Sequence, residues 1–131
     1  MARPILIALL FAALTACSPH PAATSGGGPA PAPADAPTWV KVYPGGVITR
    51  SQFGQVANGV AGSLEYTTAA APGDVNAFYA QSAAANGFKP GGHLPGNSFT
   101  DAAETRTFSV SMQPSGVGTV DVTVIARSQA S

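Results

Sequence analysis

Residues 104–126, ETRTFSVSMQPSGVGTVDVTVIA, decide the fold. From Glu104 to Met112 the side chains alternate, with Phe108, Val110 and Met112 on one side and Thr107, Ser109 and Ser111 on the other. Pro114-Ser115-Gly116 turns the chain, and Thr119 to Ala126 brings it back with Val120, Val122 and Val124 on one side. A period of two is that of a half-buried strand. Two such runs around a Pro/Gly turn predict an antiparallel hairpin with one face on a core and one in water.

Upstream lies one convincing helix, predicted over Pro72 to Asn86. Pro72 suits the first turn, Asp74 complements the positive helix end, and Gly87 suits the position just past the last turn. Val75, Phe78, Tyr79, Ser82 and Asn86 fall on one stripe at helical spacing with Ala83 beside it. Ala77, Ala80 and Ala84 make the opposite face, which reads as helix propensity rather than as an interface. After the helix, Phe88 opens a short strand that runs into the Gly/Pro-punctuated loop Gly91–Asn97.

Three strands are expected ahead of the helix. Thr38–Tyr43 (TWVKVY) is β-rich, with Val40 and Val42 on one face and Trp39, Lys41 and Tyr43 on the other. Pro44-Gly45 fits a type II turn, Pro fixing φ at its second position and Gly supplying positive φ at its third. Gly46–Phe53 reads as the second strand, Gly54–Gly59 as a polar connection and Val60–Thr67 as the third strand. The expected fold is α+β: an antiparallel sheet of five to six strands in the order β-β-β-α-β-β-β, with one helix packed on one face. The other face, carrying Lys41, Glu65, Arg106 and Asp121 among small polar residues, is expected to be solvated.

The chain has 131 residues, and three segments of different composition divide it. Residues 38–128 form the expected domain, with a modest core for its size. Its charges are Lys41, Arg50, Lys89, Arg106 and Arg127 against Glu65, Asp74, Asp101, Glu104 and Asp121, so they balance. Nothing there neutralises a phosphate backbone, so no nucleic-acid partner is expected, and no polybasic cluster addresses anionic lipid. Residues 17–37 follow Cys17 with SPHPAATSGGGPAPAPADAP, which has no apolar side chain larger than Ala or Pro and reads as a disordered tether. His20 within it has no second ligand nearby.

Residues 1–16 read as a signal peptide. Arg3 supplies positive charge and Ile5–Ala16 an apolar run well short of the roughly 20 residues that span a bilayer. The run ends in Leu14-Thr15-Ala16-Cys17, which resembles the lipobox of bacterial lipoproteins. Leu14 is awkward for ordinary secretory cleavage, which prefers a small residue there. Cys17 is the single cysteine, so no internal disulfide accounts for it. The resemblance implies that Cys17 is lipidated and becomes the new N-terminus. A single acyl chain binds a membrane marginally, at about 0.8 kcal/mol per buried CH₂, whereas the two or three chains the resemblance implies make a lasting anchor. Ser18, in place of the Asp that retains such proteins at the inner membrane, favours the outer membrane. The expected localisation is therefore the bacterial envelope, with the domain facing the periplasm or the surface.

Two signatures within the domain resemble a class of small bacterial envelope domains. One is Val42-Tyr43-Pro44-Gly45-Gly46, similar to their YPG-A/G element with Gly46 where Ala is commoner. The other is Asp74-Val75-Asn76-Ala77-Phe78-Tyr79 leading to Gly87-Phe88. The resemblance implies a fold and carries no catalytic residue.

Chemistry-bearing residues are sparse. His93, Asp101 and a serine could be composed into a triad, but no nucleophile-elbow motif such as G-x-S-x-G supports one. Asp101 and Glu104 make a weak calcium pair, short of the six or more oxygens calcium takes. One His and no Cys in the domain cannot build a zinc site. No cofactor, no metal and no catalytic residue are expected; Cys17 is the modification site. The expected function is a membrane-anchored, non-catalytic interaction or structural lipoprotein with an envelope protein or cell-wall partner. The alternative is a small-molecule or lipid-binding module, with a pocket between helix and sheet floored by Phe88, Phe99 and Phe108.

Overall fold

The computed structural model of the chain describes residues 30–91 and 97–130. Six strands and a helix follow in the order β1 (Val47–Val56), β2 (Gly59–Thr68), α1 (Pro72–Ala85), β3 (Phe88–Gly91), β4 (Asn97–Asp101), β5 (Arg106–Pro114) and β6 (Val120–Gln129). They make one sheet, β1-β2-β6-β5-β4-β3, with every pairing antiparallel. The class is α+β, with two strands rather than three ahead of the helix and four after it.

The 104–126 hairpin forms as its pattern predicts. Phe108 pairs with Ala126, Val110 with Val124 and Met112 with Val122. On its other side β6 pairs with β2, setting Leu64 against Val124 and Tyr66 against Val122. The last strand is thus central and joins the two halves of the sheet. The side chains on this face, from Leu64 and Tyr66 to Phe99, Phe108, Val110 and Val122, are buried.

Helix α1 lies over that face and buries Val75, Tyr79 and Ala83. Its ends follow the sequence signals. Pro72 opens it, Asp74 sits in its first turn, and Gly87 beyond the Asn86 cap takes φ 78°. The Asn86 side-chain amide donates to the Ser82 carbonyl at 2.8 Å, beside the Asn86 backbone N–H that reaches the same oxygen at 3.2 Å.

The expected first strand, Thr38–Tyr43, is an irregular arm instead. Val40 and Val42 are buried, as their alternation predicts. Trp39 and Tyr43, expected on the opposite face, also turn inward. Trp39 rests on Phe88 and Phe108 with centroids at 5.3 and 6.0 Å, and Tyr43 meets Phe78 edge-on at 5.3 Å. A strand would commit half of these apolar side chains to the wrong side, whereas a kinked segment lets both sets reach the core. The kink is held by Val40 N–H donating to the Pro37 carbonyl at 2.9 Å. The predicted turn closes the arm: Gly46 N–H donates to the Tyr43 carbonyl at 2.9 Å, and Gly45 has φ 77°.

Three further expectations are corrected. Gly54–Gly59 is strand and tight turn rather than loop, because β1 runs on to Val56 and returns through Ala57-Asn58, with Val56 opposite Gly59. Residues 30–37, assigned to the tether, belong to the domain: Ala30 bridges Val42, and the Asp35 side chain reaches β1. Lys41 and Arg106 are not on the solvated face. Lys41 lies in the arm, and Arg106 shares the parity of Phe108 at the margin of the core, with its guanidinium 4.8 Å from the Phe88 ring centroid.

Candidate functional site

Cys17, His20 and His93 lie outside the described residues. Of the paper triad only Asp101 can be placed, and its chemistry is already spent. It ends β4, and one carboxylate oxygen accepts from the Thr105 and Arg106 backbone N–H groups at 2.8 and 3.1 Å. The other accepts from the Thr105 hydroxyl and Arg106 Nε, each at 2.9 Å. Arg106 beside it, reinforced by these donors, pulls the carboxyl down to about 2. A carboxylate with four donors around it ties the β4–β5 turn and has little basicity to lend a histidine or a calcium ion. Glu104, the other half of the weak pair with Asp101, is exposed in the turn at φ 56°. Among the described residues no group of three or more potential metal-ligating side chains occurs.

The expected pocket floor is packed solid. Phe99 stacks on Phe108 at 4.8 Å, Phe88 meets Phe108 edge-on at 5.1 Å, and Trp39 covers both Phe88 and Phe108. The missed element is the arm, which packs on the core face of the sheet with α1, Trp39 against Phe88 and Phe108 and Tyr43 against Phe78. A shallow depression of about 430 Å³ does lie at one end of this layer, lined by Asn76, Ala77, Ala80, Pro90, Asn97 and Phe99 among others. There the Asn97 side chain hydrogen-bonds the Asn76 side chain, joining helix to β4.

Tyr66, Tyr79 and Lys41 form a polar junction that sequence reading also missed. Tyr79 donates its hydroxyl to the Lys41 carbonyl at 2.9 Å, so the Tyr66 hydroxyl at 3.0 Å donates to Tyr79. Burial pushes both phenols above their ordinary range, and the Tyr66 hydroxyl adds to the effect on Tyr79. The chain connects sheet, helix and arm inside the core, with both tyrosines buried away from solvent.

Among the described residues, further surface is presented by the outer sheet face and the two sheet edges. On the outer face three registered rows cross the centre: Thr67–Asp121–Gln113, Glu65–Thr123–Ser111 and Ser63–Ile125–Ser109. Hydroxyl, amide and carboxylate groups dominate, with Ile125 56% exposed among them. A groove of about 440 Å³ runs over this face, lined by Thr49, Glu65, Ser111, Gln113, Asp121 and Thr123 among others. Such a face can hydrogen-bond a partner from rigid strands.

The edges differ. β3 is four residues long and carries Pro90, both of which discourage strand addition. β1 is ten residues long, and Asp35 caps its middle. The Asp35 carboxylate accepts from Phe53 N–H at 3.3 Å and from the Ser51 hydroxyl at 3.2 Å. Asp35 was hidden from sequence reading because its partners lie 16 and 18 positions away; the one signal was a lone charge in a Pro/Ala run.

No helix of the described residues is long and apolar enough to cross a membrane. No protein-family model, curated protein or solved structure matches the chain.

Proposed function

We propose that this chain is a bacterial envelope lipoprotein, lipidated on Cys17, whose domain is a non-catalytic interaction module. The observation that carries the reading is Leu14-Thr15-Ala16-Cys17 closing a short apolar run behind Arg3. The domain adds support of a different kind. Asp101, the carboxylate of the triad composed from the sequence, is paired with Arg106, and the outer face offers a rigid array of hydrogen-bonding side chains. Because the folded part reaches back to Ala30, residues 18–29 alone join it to Cys17 and can span at most about 47 Å. The domain therefore works close to its membrane. Ser18 favours the outer membrane, and an envelope protein or cell-wall component is the partner in reach.

A second reading, a small-molecule or lipid-binding module, is favoured by the depression beside Phe99 and the exposed Ala77 and Ala80.

Intact mass of the membrane-fraction protein, wild type against Cys17→Ala, tests the anchor. The expected species begins at Cys17 with added acyl mass and is missing from the variant. An unacylated soluble product overturns the reading. Soaking the domain with small amphiphiles while following amide shifts at Ala77, Ala80 and Phe99 separates the second reading from the first.

A further inference from the structure

Among the described residues, no strand pairs with the outer side of β1. The hairpin closes with Val56 opposite Gly59 across two residues, so Val56, Gly54 and Gln52 bond inward to β2 while Gln55, Phe53 and Ser51 point their backbone groups outward. The Phe53 N–H confirms this direction by donating away from the sheet to Asp35. An edge with free backbone groups over a ten-residue strand is a template for another strand, and Asp35 covers the middle of it.

The sequence of the edge is self-complementary. Placed antiparallel to itself about a two-fold axis at Gln52, Ser51 of one copy opposes Phe53 of the other, and these are the residues whose N–H and carbonyl groups face outward. Arg50 then opposes Gly54, so like charges never meet. The register shift of β1 falls between Ile48 and Arg50, leaving Thr49 as the extra residue. Carried past it, the register sets Val47 of one copy against Val56 of the other. These two valines are 64% and 44% exposed, and both lie on the outer face.

We propose that the β1 edge is a pairing surface for a second copy of this chain, kept closed by Asp35 in the segment just ahead of the arm and opened when that segment is displaced. The contact is isologous and extends the sheet across the two-fold axis. It rests on the interaction reading of the domain and not on lipidation of Cys17.

The test uses the full chain purified in detergent, with mass measured by light scattering and disulfide cross-linking after mild oxidation. Wild type is expected to be monomeric. Asp35→Ala is expected to double in mass, and Gln55→Pro added to it, which removes an outward N–H but no bond to β2, returns it to monomer. In the Asp35→Ala background, Gln52→Cys faces itself across the axis and cross-links, while Gln55→Cys does not rise above the background set by Cys17. Ser51→Ala, which removes one of the two Asp35 contacts and spares Asp35, shows the same shift to a lesser degree and serves if Asp35→Ala is poorly folded. Monomeric Asp35→Ala and Ser51→Ala proteins overturn the proposal. So does cross-linking at positions 52 and 55 alike, which marks unregistered association.

Discussion

At the scale of single residues, two side chains show how polar groups specify this small core. Tyr79 both donates to the Lys41 carbonyl and accepts from Tyr66, whereas Tyr66 stands at the end of the chain. The two hydroxyls are therefore unequal. Tyr79→Phe leaves the half-buried Lys41 carbonyl and the buried Tyr66 hydroxyl without their partner and is expected to cost about 1–3 kcal/mol. Tyr66→Phe removes only the terminal donor and is expected to cost less, with urea melts of both variants as the measurement. Equal losses would show that the two hydroxyls share their partners evenly. Asp101 is the electrostatic counterpart. Its carboxyl, with Arg106 and the β4–β5 turn donors around it, titrates at about 2 against an ordinary 3.8. A depressed carboxyl contributes stability above its unfolded value and loses it as the pH falls through the folded one. Asp101→Asn is expected to be less stable at neutral pH and to lack the wild-type decline between about pH 4 and pH 2, read from melting temperature against pH.

Among the elements, legibility followed periodicity. The β5–β6 hairpin and α1 repeat their patterns over enough residues for sequence alone to place them, and Phe108, Val110, Val122 and Val124 are buried as read. Gly54 and Gly59 misled the reading of β1, because Gly is a loop signal unless pairing overrides it. The arm misled it differently. TWVKVY has strand propensity, but strand formation also needs a neighbour to bond, and Ala30 provides only a single bridge. Its four large apolar residues then found a better solution in filling the helix layer from both sides of the chain. Asp35 and the Tyr66–Tyr79–Lys41 junction were illegible because each joins residues far apart in sequence. If the arm is a structural half of that layer, Trp39 is its anchor. Trp39→Ala is expected to cost about 3 kcal/mol and to leave Phe88 and Phe108 open to water. A hydrophobic dye that binds the variant and not the wild type, together with a lowered urea midpoint, is the expected signature. A loss under about 0.5 kcal/mol, the size of an ordinary surface substitution, would reduce the arm to a covering.

For the molecule as a whole, sheet, helix and arm meet at the tyrosine pair, so its ionisation is coupled to the integrity of all three. Burial raises both phenols above the ordinary 10.0. A group raised in the folded state contributes its stability in full below the unfolded value and loses it as the pH rises toward the folded one. Above about pH 10 each unfolded chain can therefore release protons that the folded chain retains. Stability should fall from there upward without any change in the contacts themselves. The phenolate absorbance of Tyr66 and Tyr79 is expected to appear only as the fold is lost, so that an alkaline titration followed by absorbance and by circular dichroism gives coincident transitions for these two residues. In Tyr66→Phe the remaining buried phenol should still titrate with unfolding, because Tyr79 keeps its burial and its bond to Lys41. Phenolate signal from Tyr66 and Tyr79 rising ahead of the loss of structure would instead mean that water reaches the junction in the folded protein, and that helix and arm separate from the sheet before it unfolds.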